Sequence, residues 1–243
     1  MIEEGQIPAD TPLEIGSLLF EGLDQIDLTG PFEVFTRLPN TTTRLYGLTA
    51  APVTDAGGLQ LAPNGSLLDA PQLDVLHIPG GPGQEDLMHD EALFHWMRRQ
   101  AEGAKILFSV CTGALICGAA GLLQGRKATT YWIVQHLLPF FGATPVETRV
   151  VVDGKLVCAG GVTSGIDGAL KVAAMLRGRE VAETIQLAMQ YDPEPLFDTG
   201  SPDKAPQAAV EAVQKATAAL TARRETTARE VAHRLGIAVP SET

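Results

Sequence analysis

Along most of the chain, short apolar runs alternate with stretches whose apolar residues recur at three- and four-residue spacing. That alternation is the signature of strand–helix units laid on a parallel sheet. Glu14 to Phe20 reads as the first strand, and Pro31 falls where a proline favours the first turn of a helix whose buried side would be Phe32, Val34, Phe35 and Leu38. Arg44 to Ala50 and Val75 to Ile78 read as the next inner strands, with a turn at Gly57-Gly58 between them. A helix is expected from about Glu91 to Ala101, with Leu93, Phe94 and Met97 on one face, then a buried strand from Ile106 to Val110 and a helix from Thr112 to about Ala119.

Further on the pattern becomes mixed. Val150 to Val152 and Leu156 to Cys158 flank Asp153-Gly154, a strong two-residue hairpin signal, so an antiparallel pair is expected beside the parallel core. Thr163 or Ser164 can cap a helix from about Ile166 to Leu176, and Arg179 to Gln190 reads as another. Four prolines between Asp192 and Pro206 make that stretch extended and irregular, and a final helix from about Gln207 to Ala222 lies outside the sheet. The expected fold class is α/β: a three-layer α/β/α sandwich around a mostly parallel central sheet. Residues 1–12 read as an N-terminal extension, 13–205 as the principal domain and 206–243 as a C-terminal helical tail.

With 243 residues, 45% of them hydrophobic, the chain can bury a full-sized core without disulfides or a structural metal. Its apolar runs fall far short of the roughly 20 residues that span a bilayer, and Met1 to Asp10 is acidic and polar where a signal peptide would be basic and then apolar. A cytoplasmic location and no membrane partner are therefore expected. The formal net charge of −11 repels phosphate backbones, which argues against a nucleic-acid partner and for a small-molecule ligand.

Cys111, Cys117 and Cys158 are an odd count at spacings that match neither a disulfide framework nor a metal motif. The informative one is Cys111. An apolar strand ends in Ser109-Val110-Cys111-Thr112-Gly113 and runs straight into a helix, which is the layout of a nucleophile elbow. Small residues on either side permit the sharp turn, and the turn lifts the central residue over the carboxyl edge of the sheet, where open α/β folds bind ligands. At a helix N-terminus such a thiol is expected to be partly ionised near neutral pH. A small buried cysteine at a strand end is the bland reading for Cys111, and it is the one adopted for Cys117 and Cys158.

A nucleophile needs a proton partner. His77 lies inside a strand, His89 and His95 in polar surroundings, His233 in the tail, and His136 several residues into a helix, so no Cys-His dyad is evident. A carboxylate is the other option. Asp27, in a loop between the first strand and the first helix, would share the carboxyl edge with Cys111, with Asp24 as its rival and simple helix capping as the bland reading for either. In Ile78-Pro79-Gly80-Gly81-Pro82-Gly83, a strand end, the glycines allow close approach of backbone N–H groups, which together with an amide of the elbow can form an anion-stabilising pocket.

Together, Asp27-Leu28-Thr29-Gly30-Pro31, Ile78-Pro79-Gly80-Gly81 and Ser109-Val110-Cys111-Thr112-Gly113-Ala114 resemble the ThiJ/PfpI superfamily, a branch of the flavodoxin-like, class I glutamine amidotransferase-like fold. The similarity continues through Ala119 to Gly125, Ala128-Thr129-Thr130, Gly160 to Asp167 and Gly200-Ser201-Pro202-Asp203, covering roughly residues 13 to 230, and the later segments resemble the isocyanide hydratase branch. The resemblance implies a homodimer and a cofactor-free, metal-free conversion of a small-molecule isocyanide and water to an N-substituted formamide. It implies Cys111 as nucleophile, Asp27 as the acid beside it, and Gly81 and Thr112 as positions whose amides face the substrate.

One departure stands out: where relatives commonly carry a histidine before the tryptophan, this chain has Tyr131 before Trp132. That weighs against a histidine-assisted hydrolase or glyoxalase-like activity. The other alternative is a ligand-sensing domain, because Thr226 to Gly236 resembles part of a helix-turn-helix, although the chain stops at Thr243, before a groove-reading helix could follow.

Overall fold

The computed structural model describes Gly5 and residues 7–238; the outer ends of the two terminal segments, 1–4, 6 and 239–243, lie outside the described residues. In chain order the elements are β1 (Leu13–Leu19), α1 (Gln25–Phe35), β2 (Thr41–Gly47), β3 (Val53–Thr54), β4 (Gln60–Leu61), β5 (Gly65–Ser66), β6 (Val75–Ile78), α2 (Glu91–Gly103), β7 (Ile106–Val110), α3 (Gly113–Ala119), β8 (Lys127–Ala128), β9 (Thr144–Pro145), β10 (Val150–Asp153), β11 (Leu156–Ala159), α4 (Ser164–Arg177), α5 (Arg179–Ala188) and α6 (Gln207–Leu235). Short 3-10 segments cover Pro82–Leu87 and Trp132–Phe141.

Strands buried on both faces need apolar residues at successive positions, and the inner strands have them. In β1, Leu13 and Ile15 pack into one helical layer and Leu18 into the other; in β7, Ile106 and Phe108 face the first layer and Leu107 the second. Seven strands form one sheet in the order β10-β11-β7-β6-β1-β2-β5, parallel except for the β10 edge, which pairs antiparallel with β11 through the Asp153-Gly154 turn. α1, α4 and α5 cover one face; α2, α3, α6 and the two 3-10 segments cover the other. The α/β/α sandwich expected from the sequence is therefore the observed fold. Ile78 lies opposite Ser109 in the β6–β7 ladder, and β1 flanks β6 on its other side. The chain segments after β1, β6 and β7 consequently emerge side by side at the carboxyl edge, and these carry Asp27, Gly80-Gly81 and Cys111.

Two elements differ from expectation. The first helix starts at Gln25, well before Pro31, because Asp24 caps it by accepting a hydrogen bond from the Ile26 N–H at 3.0 Å. Asp27 thus sits in the first turn of α1, not in a loop, and Pro31 lies inside the helix. A proline there removes the donor that would have bonded the Asp27 carbonyl four residues back. The final helix does not stop near Ala222 but runs to Leu235 and ends at Gly236 in the left-handed conformation. Its residues Arg224, Thr227, Ala228, Val231 and Ala232 recur at three- and four-residue spacing and are buried, with Ala228, Val231 and Ala232 in the core shared with α2 and α3. The stretch that resembles part of a helix-turn-helix is the end of this one continuous helix, packed by its apolar stripe onto the domain.

Candidate active site

The elbow forms because β7 is apolar up to Val110 and Gly113 follows two residues after the turn. A Cβ on Gly113 would stand 2.1 Å from the Ile78 carbonyl oxygen, so only glycine lets α3 start tight against the end of β6. Cys111 pays in backbone strain for its position, with φ at +54°, a region that non-glycine residues rarely occupy and that clusters at functional sites. The turn is tied on both sides: Cys111 N–H donates to the Ala159 carbonyl at 2.9 Å, and the Thr130 hydroxyl donates to the Cys111 carbonyl at 2.7 Å. Cys111 as a whole is 5% exposed.

Asp27 is fully buried beside it. Its Oδ2 accepts the Gly80 N–H at 2.9 Å, its Oδ1 is buried with no hydrogen-bond partner among the described residues, and the Cys111 side chain is close enough to act on the carboxyl. Between the two candidate acids the geometry distinguishes plainly: Asp24 is spent on the α1 cap, and its own N–H donates to the Gly80 carbonyl at 2.9 Å. Burial, with the Asp24 charge added, pushes the Asp27 carboxyl up to about 8, against the smaller opposing pull of the Gly80 N–H and Cys111. Asp27 is accordingly a carboxylic acid at neutral pH.

The expectation of a partly ionised Cys111 does not hold. Burial and the neighbouring Asp27 push the thiol well up, and the Thr112 N–H at the start of α3 and the Arg224 cation offset this only in part. Sequence shows the helix start but not the depth of burial. Thr112 and Gly81 are brought to the site, though Gly81 is engaged differently from expectation. The Gly81 N–H donates to the Thr112 hydroxyl at 3.0 Å, and that hydroxyl lies 3.2 Å from the Gly81 carbonyl, so the pair clamps the glycine loop to the elbow. It is the Thr112 N–H that faces the sulfur.

No histidine joins the pair. His89, His95, His136 and His233 are exposed, while His77 is buried with Nδ1 2.9 Å from the Ser17 hydroxyl and its ring stacked on Phe108. Burial holds its imidazole neutral, pushed down to about 3, with the Asp27 carbonyl that Pro31 left free countering in part. Tyr131, at the position where a histidine was looked for, is half-buried and feels Cys111. Cys117 and Cys158 are buried packing residues. Among the described residues, no three His, Cys, Asp or Glu side chains converge as metal ligands would, and no helix is long and apolar enough to cross a membrane.

The residue that sequence reasoning missed is Arg224. It is buried on α6, donating from Nε to Gln84 Oε1 at 2.8 Å and from Nη2 to the Gly81 carbonyl at 3.2 Å. Its signal was present: it continues the Thr227, Ala228, Val231 stripe one turn earlier. Beside the site, a hollow of about 1,020 Å³ is lined in part by Tyr131, Trp132, Gly160, Val162, Ser164 and Phe197; Cys111 does not itself line it.

A buried acid has a consequence for the fold. The unfolded chain releases the Asp27 proton near the ordinary aspartate value of 3.8, the folded chain only near 8, so stability falls as pH rises across that window and levels off above it. Asp27→Asn is expected to stabilise the protein at pH 8 by a few kcal/mol, on the order of the linkage for such a shift, with the gain vanishing towards pH 4. Urea melts at the two pH values check this; a variant no more stable than the parent at pH 8 would mean that the buried carboxyl is ionised at no cost.

The sequence profile of the DJ-1/PfpI family matches residues 15–175, which include Asp27, the glycine loop and the elbow. The isonitrile hydratase of Pseudomonas putida is 49% identical over 221 residues, 90% of this chain and 97% of that protein. A ThiJ/PfpI family protein from Pseudomonas syringae superposes with a TM-score of 0.88 at 36% identity, covering 92% of this chain and 93% of its own. Drosophila melanogaster DJ-1beta shares the fold at a TM-score of 0.67 and 22% identity, with 74% of this chain covering 98% of that one. The profile covers well over half of the chain, and the chain belongs to the DJ-1/PfpI family.

Proposed function

We propose that this protein is an isocyanide hydratase, converting an isocyanide and water to an N-substituted formamide, with Cys111 as nucleophile and Asp27 as acid. The observation that carries the reading is a strained, buried thiol next to a carboxyl that burial keeps protonated, with no histidine acting on the thiol and His77 held neutral on the backbone side of Asp27. An isocyanide suits such a pair, because its terminal carbon must gain both a nucleophile and a proton. The likeness to the Pseudomonas putida enzyme over nearly the whole length of both chains supports the substrate class.

The geometry supports the following steps. The Cys111 thiolate bonds to the isocyanide carbon while Asp27 delivers a proton to that same carbon, giving a thioimidate and avoiding a bare carbanion. Water adds across the carbon–nitrogen double bond, its hydroxyl going to carbon and a proton to nitrogen. Collapse of that adduct breaks the carbon–sulfur bond and the hydroxyl O–H bond, releasing the formamide, returning the Cys111 thiolate and passing the hydroxyl proton to the Asp27 carboxylate for the next cycle. The Thr112 N–H steadies the sulfur as its charge changes, and the Gly81–Thr112 clamp holds loop and elbow in register. The hollow beside Tyr131 and Trp132 has room for the organic group of the substrate.

Residues 13–205 form the catalytic domain in this reading, with the C-terminal segment docked on it. The homodimer and the cytoplasmic location belong to the same proposal, and the exposed Leu187, Leu196 and Phe197 offer apolar surface for a second copy.

Two outcomes test the assignment. Purified protein incubated with an aryl isocyanide should form the formamide well above the buffer rate; no formation would overturn it. The pair should also titrate as a unit. The competent form holds one proton, as a thiolate with a carboxylic acid, so kcat/KM is expected to rise with pH up to about 8 and to fall only where the second proton leaves. A profile flat from pH 6 to 9 would contradict the shared proton.

A further inference from the structure

The segment that matches the family profile ends at residue 175, yet α6 sends a side chain into the reaction centre from beyond it. Arg224 is 4% exposed, and its two hydrogen-bond acceptors at the loop, Gln84 Oε1 and the Gly81 carbonyl, are both uncharged. The Gly81 carbonyl also meets the Thr112 hydroxyl, which in turn receives the Gly81 N–H. One peptide group therefore separates the guanidinium from the residue whose N–H faces the Cys111 sulfur. A buried cation without a carboxylate hydrogen-bonded to it is costly unless a negative charge forms nearby.

We infer that Arg224 is a positioning residue for the cysteine chemistry: it fixes the Gly81 peptide against Thr112 and supplies the positive potential that allows the buried Cys111–Asp27 pair to carry a negative charge. The inference rests on Cys111 being the nucleophile. The groups facing Cys111 are Asp27 from α1 and Asp24 from its N-cap, the Thr112 N–H from the start of α3, Tyr131 from the segment after β8, and Arg224 from α6; of these Arg224 is the cation. Facing Arg224 itself are Glu85, Tyr131 and Arg223. Glu85 accepts the Thr227 hydroxyl at 2.6 Å, one turn further along α6, so it fixes the same helix face and tempers the cation without ending its effect on the sulfur.

The test uses the full chain and reads the pH dependence of Cys111 alkylation by iodoacetamide, followed on the Cys111 peptide by mass spectrometry, beside kcat and KM for an aryl isocyanide. Arg224→Gln removes the charge and keeps a donor for the Gly81 carbonyl; Arg224→Lys keeps the charge and loses the fork. The Gln variant should move the alkylation midpoint up by about one pH unit and lower kcat about ten- to a hundredfold with KM changed much less. The Lys variant should keep the midpoint close to the parent's and lose about threefold or more in kcat, from the lost fork alone. A folded Gln variant with the parent's midpoint would overturn the inference, as would equal midpoint shifts in both variants. Should the Gln variant fail to fold, a Lys variant with parental kcat would overturn it. Alkylation needs no isocyanide, so a parent that ionises as described but hydrates nothing would sink the substrate assignment and leave the role of Arg224 standing.

Discussion

Cys111→Ala is expected to remove isocyanide turnover almost entirely, by a factor on the order of 10⁵ or more, the scale of loss when a covalent nucleophile is deleted. The fold should survive the change. The side chain is small, the elbow is held by the Ala159 and Thr130 hydrogen bonds through backbone atoms, and alanine tolerates the positive φ about as well as cysteine does. Circular dichroism and a thermal melt establish the fold, and formamide formation followed by chromatography reads the activity. A folded variant retaining a tenth of the parental rate would exclude a covalent cysteine mechanism.

Asp27→Asn is the second large effect. The amide keeps the shape and can still accept the Gly80 N–H, but it has no proton to give at the isocyanide carbon. Loss of a positioned general acid costs about 10²- to 10⁴-fold, so kcat should fall by that amount. The ascending limb near pH 8 should go with it, since that limb belongs to the shared proton. The same substitution is expected to stabilise the fold at pH 8, as derived above, so activity and stability move in opposite directions at a single atom. A variant as active as the parent would assign the proton to another donor, and Tyr131 would be the next group to replace.

The parts of the site that sequence conveyed are those written in local spacing. Ser109 to Gly113 announces an elbow because strand, turn and helix are contiguous, and the Asp153-Gly154 hairpin is found for the same reason. Asp27 is recognisable as an acid at the right edge, yet its place in a helix is not, since Pro31 reads as a first-turn residue and the Asp24 cap lies seven residues ahead of it. Thiol ionisation was misjudged because a helix N-terminus is visible in sequence and full burial beside a carboxyl is not. Arg224 escapes notice for a different reason, although it sits in phase with the Thr227, Ala228 and Val231 stripe. An arginine in a polar helix reads as a solvated residue until the helix is known to be 29 residues long and to fold its stripe back over the Gly81 loop.

The most direct test of the central claim is intact-mass analysis of the protein, quenched in acid within its first turnovers of an aryl isocyanide. A covalent thioimidate adds the whole mass of the isocyanide, with no atom lost, and digestion should place that addition on the peptide containing Cys111. Formamide accumulating while Cys111 stays unmodified at every quench time, from single turnover to steady state, would contradict the account.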